Sequence, residues 1–291
     1  MILVTGATGT IGRRLVPLLA ARAIPVRAMT RDPAKVPPTA GVDVVRGDFD
    51  DPASLAAAVA GVDTVFLLTA PAAPSARHDL ALLDAARAAT VDRVVRLSAI
   101  GTGARHGDQT VGAAHHLADQ AVRASELEWT LLRPTTFASN TLWWADAIRT
   151  GVPVPNLLGD ARQGVVDPDD VAAVAAEVLA SPGSDLAGRI LTLTGPELLS
   201  VPDQAAILAE ALGRPVELVD TPPAVAGERM RADGMDPAAV EQIVTGSSWA
   251  RAGHNAILTD DVATVLGRPP TPFAMWVERN LGAFGAQGVS P

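Results

Sequence analysis

With 291 residues, 48% of them hydrophobic, the chain can carry one large domain or one and a half, and it has no cysteine for disulfides, thiolate metal sites or nucleophiles. A formal net charge of −9 without a basic cluster excludes nucleic-acid binding driven by phosphate neutralisation. No apolar run has membrane-spanning length, and no charged-then-apolar leader precedes the first strand, so a soluble cytoplasmic protein is expected.

Ile2, Leu3 and Val4 read as a short buried parallel strand. Gly6, Gly9 and Gly12 then mark a tight loop, and Arg13 to Arg22 continues as a helix with Leu15, Leu18 and Leu19 inward. Such a turn presents backbone N–H groups at a helix N-terminus, where partial positive charge favours a pyrophosphate. The spacing is Gly-x-x-Gly-x-x-Gly. Its place directly between a strand and a helix is what points to a dinucleotide.

Ile24 to Met29 reads as the second strand, with Arg31 at its end, where the adenosine ribose is met. An acidic side chain there would select NAD; a guanidinium beside a 2′-phosphate selects NADP(H) over NAD(H). Arg14 and Lys35 could add to that charge. Val42 to Arg46 is a third strand, after which Asp48 can accept from the adenine amino group while Phe49 packs at the ring edge. Asp50 and Asp51 read as caps of the helix beginning near Pro52. Asp63 to Leu68 is strand four, followed by Thr69 and Ala70. Ser75 to Ala89 is a helix, and Arg93 to Leu97 is strand five, followed by Ser98 and Ile100.

Strands alternating with helices at this spacing predict an α/β fold, a doubly wound parallel Rossmann sheet with ligands at the carboxyl ends of the strands. Gly101 to Gly112 reads as a mobile loop over the pocket, His115 to Ser125 as a helix, and Trp129 to Leu132 as strand six. A further helix carries Trp143 and Trp144, and Pro153 to Leu158 reads as a proline-broken connector. Asp167, Asp169 and Asp170 have the pattern of an N-cap and first-turn acids rather than a metal site, and Arg189 to Thr194 is another strand. From Gly195 the pattern turns to helices at 201–212, 223–232, 237–244 and 272–284, with a strand near Val216 to Val219. The division expected is a Rossmann domain over 1–195, with pocket-forming insertions around 137–160, and a smaller, mainly helical substrate lobe over 196–291.

The stretches Val4 to Gly12, Thr30 to Pro33, Arg46 to Phe49, Leu97-Ser98, Trp129 to Pro134 with Asn140, Leu191 to Pro196 and Pro272 to Val277 together resemble the NmrA-like branch of the atypical short-chain dehydrogenase/reductase superfamily. The family contains NADPH-dependent quinone, enone and aryl-ether reductases, and nucleotide-sensing regulators. The resemblance implies a cofactor set of Gly6, Thr8, Gly9, Thr10, Ile11, Arg31, Asp48, Phe49, Leu68, Thr69 and Ala70, completed by Ser98, His115 and Pro134. It also implies a substrate wall of Ile100, Phe137, Asn140, Trp143 and Trp144, with Met230, Met235 and Trp249 as further candidates. Aromatic walls suit a flat, apolar ligand.

The superfamily's usual machinery is a serine followed by Tyr-x-x-x-Lys. The tyrosine protonates the nascent alkoxide, the lysine lowers its pKa and the serine holds the carbonyl oxygen. Aligned through Asp119 and Ser125, Val111 stands where the tyrosine would be and His115 where the lysine would be, with Ser98 at the serine position. The chain has no tyrosine at all, and Lys35 is its single lysine. Hydride delivery to a simple ketone needs a good proton donor, whereas a quinone or activated enone leaves a stabilised oxyanion. Ser98 with His115 or His116, or water, can then suffice.

The reading that follows is an NADPH-dependent reductase of a quinone or enone, such as an aromatic natural-product intermediate. The alternatives are a non-catalytic NADP(H) redox sensor, or a former reductase repurposed for cyclisation or dehydration. Partners are a small, aromatic substrate, with no nucleic acid or membrane, in a monomer or homodimer.

Overall fold

Seven strands form one parallel sheet: β1 Ile2–Val4, β2 Val26–Thr30, β3 Val42–Arg46, β4 Thr64–Leu67, β5 Arg93–Leu97, β6 Glu128–Pro134 and β7 Ile190–Leu193. Their spatial order is β7-β6-β5-β4-β1-β2-β3, and every neighbouring pair is parallel. The computed structural model describes residues 1–69, 75–181, 183 and 185–285. The chain winds outward from β1 in one direction and, from β4, in the other. That reversal opens a crevice at the carboxyl ends of β1 and β4. Thr5 sets its edge: its hydroxyl reaches the carbonyl oxygens of Phe66 and Leu68 at 3.1 and 3.0 Å, and it accepts from the Leu68 N–H at 2.8 Å.

Helices cover both faces, as buried parallel strands require. Helix α1 (Gly12–Ala21) lies on one face and turns Leu15, Val16 and Leu19 into the core. On the other face are α2 (Pro52–Val59), α3 (Arg77–Ala88) and α4 (Ala113–Arg123), packed over Leu3, Val65, Val94 and Leu131. A short helix, α5 (Ala145–Thr150), follows β6, and α6 (Pro168–Ala180) returns to the face of α1. The remaining helices are α7 (Val201–Leu212), α8 (Pro223–Ala232), α9 (Pro237–Trp249), α10 (Asp261–Leu266) and α11 (Phe273–Asn280).

Three helices share one start signal. Asp51, Asp167 and Asp236 each accept a backbone N–H of the first turn, and a proline follows at the first helical position, where its missing N–H costs nothing. Asp50 does not join Asp51 as a cap; it faces Arg77 and His78 instead.

Several expectations need correction. The segment read as a proline-broken connector contains a strand, Val154–Asn156, paired in parallel with Leu218–Asp220. The loop over 101–112 holds a small hairpin, Arg105–His106 against Gln109–Thr110, closed by Gly103 N–H to Val111 O and Val111 N–H to Ala104 O. Trp143 and Trp144 end a 3-10 turn over Ala138–Trp144, and the α-helix begins only at Ala145. Helix α9 runs on to Trp249 and passes into a π-turn over Ala250–His254.

The C-terminal helices pack Phe273, Trp276 and Phe284 into a core with α5 and α7. Within the stretch expected to form a substrate lobe, α10 crosses back, and Val262 is buried in the sheet's own core against α6. One carboxylate staples the return. Asp170, 1% exposed, accepts from Thr271 N at 2.6 Å, Thr271 Oγ1 at 3.2 Å and Arg268 Nη2 at 2.7 Å. Asp170→Ala is expected to lose about 2 kcal/mol of stability, because the Thr271 N–H and hydroxyl, both part-buried, lose their acceptor while the half-exposed Arg268 turns to water. A urea midpoint unchanged from the parent would contradict the staple.

Candidate active site

Two cavities flank the segment Thr136–Asn140 after β6. The first is a cleft of about 470 Å³ at the reversal point of the sheet. Gly6, Thr8, Gly9, Thr10 and Ile11 line its floor, Arg31, Asp48 and Phe49 its outer end, and Leu68 its side. The close approach of α1 requires glycine. A Cβ on Gly12 would stand 2.2 Å from Gly6 O and 2.7 Å from Ala7 Cα, so any side chain there would push the helix off the turn. Gly6 itself has φ +60°. No acidic residue occupies the first turn of α1, which leaves its positive end free for an anion.

At the outer end Arg31 is exposed and makes no ion pair among the described residues. Arg14 and Lys35, unlike Arg31, each face a carboxylate. Arg14 is held by Asp169 and by Thr10 O at 2.6 Å, and Lys35 lies 3.6 Å from Asp32. The cleft also takes in Met29, Thr30, Gly47, Asp50, His78 and Leu97, which sequence reasoning did not single out. His78 stacks on Phe49 with ring centroids 5.3 Å apart and sets Nε2 3.2 Å from Asp50 Oδ1. Hydrogen bonds from His78 and Arg77 hold the Asp50 carboxyl below the usual carboxylate range. The available signal was positional: the first turn of a helix after a strand's carboxyl end faces the crevice.

Thr69, Ser98, His115 and Pro134 are set back from this cleft, Phe137 faces it, and Ala70 lies outside the described residues. Behind it, Arg96 on β5 is fully buried and bonded to two carboxylates. Its Nε lies 3.0 Å from Asp79 Oδ1 and its Nη1 2.8 Å from Asp119 Oδ1. Thr69 Oγ1 donates to Asp79. Asp119 Oδ2 accepts from Ser98 Oγ at 2.9 Å and from Arg133 Nη2 at 2.7 Å. The Ser98 proton is therefore committed to Asp119, and its oxygen is left to accept.

Arg96 Nη2 also lies 3.3 Å from His115 Nδ1. A guanidinium only donates, so Nδ1 is the acceptor and Nε2 carries the ring proton. Burial, with the Arg96 charge beside it, pushes the imidazole down to about 4. His115 is neutral at pH 7, a hydrogen-bond donor rather than a proton source. His116 packs against Gly103 and places Nε2 3.2 Å from Gln120 Nε2, lining neither cavity.

The second cavity, of about 320 Å³, lies between the segments after β5 and β6 and residues of α7, α9 and the π-turn. Ile100, Asn140, Trp143, Trp144 and Trp249 line it, whereas Met230 and Met235 do not. Trp143 is 84% exposed and contributes an edge at the mouth. Trp249 lies flat on Gly101, where a Cβ would come within 2.7 Å of the ring. Val111, at the tyrosine position, is 5% exposed and also lines this cavity. Sequence reasoning missed Gln163, Gln204 and Asn255 here. They come from segments far apart in the chain, and no local pattern marks them.

A family model described as NAD(P)H-binding matches residues 6–182. The chain belongs to that NAD(P)H-binding family. It is 38% identical to the (4-alkanoyl-5-oxo-2,5-dihydrofuran-3-yl)methyl phosphate reductase of Streptomyces griseus, over 99% of this chain and all of the relative. It is 35% identical to the NAD(P)H azoreductase of Xenophilus azovorans, over 98% of this chain and all of the relative. An NADPH-dependent quinone oxidoreductase of Escherichia coli, solved with NADPH, shares the fold at TM-score 0.83 and 24% identity, covering 97% of this chain and all of the other. The glycine cradle, the free helix end and the unpaired Arg31 fit the dinucleotide of this NAD(P)H-binding family. No helix among its described residues is long and apolar enough to cross a membrane, and none of their His, Asp or Glu clusters could hold a metal.

The neutral His115 has a consequence for stability. Unfolded, its imidazole takes a proton near pH 6.5; folded, only near 4. Between those values the unfolded chain binds more protons, so this contribution is complete above about 6.5 and falls as pH drops toward 4, by up to about 3 kcal/mol. Urea titrations at pH 7 and 4.5 should show the parent losing about 2 kcal/mol more than His115→Gln over that interval. Equal losses would mean that the folded imidazole titrates normally.

Proposed function

We propose that this chain is an NADPH-dependent reductase of an electron-poor carbonyl compound, an enone or quinone. The observation that carries the reading is the pairing of a substrate-sized cavity beside the dinucleotide cleft with the absence of an acid in it. Val111 fills the position from which a tyrosine would protonate an alkoxide, Ser98 is committed to Asp119, and His115 is neutral. When bound, NADPH supplies a hydride. The cavity holds the acceptor flat between Trp249 and the 136–144 segment, and the resulting enolate or quinol anion takes its proton from water. A simple ketone, whose alkoxide needs a strong local acid, is a poor substrate for such a site. The dihydrofuranone named for the Streptomyces griseus relative is a conjugated, electron-poor alkene of this type. A non-catalytic sensor has no need of the second cavity, which favours turnover.

Purified protein with NADPH and a panel of butenolide enones and quinones should oxidise the nucleotide above background. Stereospecifically deuterated NADPH should pass its label to product. No oxidation with any acceptor sinks the reading.

Arg31 is proposed to grip the 2′-phosphate of NADP(H). Arg31→Ala should cut the preference for NADPH over NADH by about ten- to a hundredfold in kcat/KM, the worth of one charge-assisted contact. An unchanged ratio would place the selecting charge elsewhere.

A further inference from the structure

The substrate cavity has no charged side chain among its described lining residues. Its polar surface comes from hydroxyls and carboxamides, and the carboxamides are only partly satisfied. Gln163, 3% exposed, accepts at Oε1 from Thr136 Oγ1 at 2.6 Å and from Asn255 Nδ2 at 3.1 Å, leaving its Nε2 without a protein partner. Gln204, 2% exposed, donates from Nε2 to Ser200 O at 3.3 Å and leaves Oε1 without one. Asn255, 4% exposed, has a buried Oδ1 with no hydrogen bond. The Gln163 donor and the Gln204 acceptor, with the Asn140 carboxamide beside them, therefore line one largely apolar chamber walled by Trp144 and Trp249, while Asn255 Oδ1 is sealed behind Gln163.

Buried polar groups are normally paired, and leaving several open is costly unless a ligand completes them. The complement of this set is a group that donates and accepts at once. A hydroxyl does both, and it does so whichever way the Gln163–Asn255 amide pair is turned. A phosphate or carboxylate brought into the same chamber would find no cation and would lose its hydration against carboxamide oxygens.

We infer that the substrate is an uncharged, hydroxyl-bearing carbonyl compound, recognised by the carboxamides of Gln163 and Gln204, the first held in place by Asn255. This rests on the reductase reading above and narrows it. It also separates this chain from its Streptomyces griseus relative, whose named substrate is a phosphate ester.

The test uses three butenolides that differ at one position: a (4-alkanoyl-5-oxo-2,5-dihydrofuran-3-yl)methanol, its methyl ether and its phosphate. With full-length protein and NADPH, the alcohol should exceed both others in kcat/KM by about tenfold or more, since a site built for a hydroxyl rejects analogues that leave its polar groups unpaired. In Gln204→Leu the alcohol-to-ether ratio should collapse toward one. A phosphate turned over as well as the alcohol, or better, overturns the inference while leaving the reductase reading intact. If none of the three consumes NADPH, calorimetry in the presence of NADP⁺ decides separately. Tighter binding of the alcohol sustains the uncharged ligand, and tighter binding of the phosphate refutes it.

Discussion

Arg96 carries a positive charge where water does not reach, and the middle of the molecule is arranged around that fact. An unpaired guanidinium there would be prohibitive, so β5 draws in one carboxylate from α3 and one from α4. Asp79 and Asp119 in turn need their remaining lone pairs filled, and Thr69, Ser98 and Arg133 fill them. Three strand ends and two helices are thus tied into one hydrogen-bonded unit beneath the crevice. The same unit fixes the tautomer of His115 through Arg96. A structural demand thus sets the tautomer of His115, the residue that the sequence aligns with the superfamily's lysine.

The cofactor side and the substrate side are built on different physics. The cleft at β1 and β4 is a backbone device: it depends on the absence of side chains at Gly6 and Gly12 and on the aligned N–H groups of α1. The neighbouring cavity is a side-chain device, assembled from segments that meet only in the folded chain. Thr136 comes from the segment after β6, Gln163 from the short strand Gln163–Gly164 paired with Leu198–Leu199, Gln204 from α7, and Trp249 and Asn255 from the end of α9 and the residue capping the π-turn after it.

That difference explains what the sequence disclosed. The seven parallel strands, the helices between them and the floor of the cleft were legible, because glycine spacing, apolar runs and Asp-Pro helix starts act locally. Nine expected cofactor residues line one cleft for that reason. His78 was not, since nothing local says that its ring will stack on Phe49 twenty-nine residues earlier. The Val154–Asn156 strand was hidden by its prolines, which sit comfortably in a short two-stranded pair with few ladder bonds to lose. Gln163 and Asn255 were invisible as a pair, being 92 residues apart.

Under the proposed function, two independent constraints act on the same small molecule. The absence of a charged acid requires that the anion left after hydride transfer be stable by its own conjugation, which is a demand on the substrate's reactive end. The absence of charge in the cavity wall requires that the rest of the molecule be neutral, which is a demand on its periphery. The first follows from Val111 and the Arg96-bound His115, the second from the carboxamide lining, and no residue belongs to both arguments. A ligand with a delocalised electron-poor core and an uncharged hydroxylated rim satisfies both at once, and a phosphorylated or carboxylated one fails the second however reactive its core.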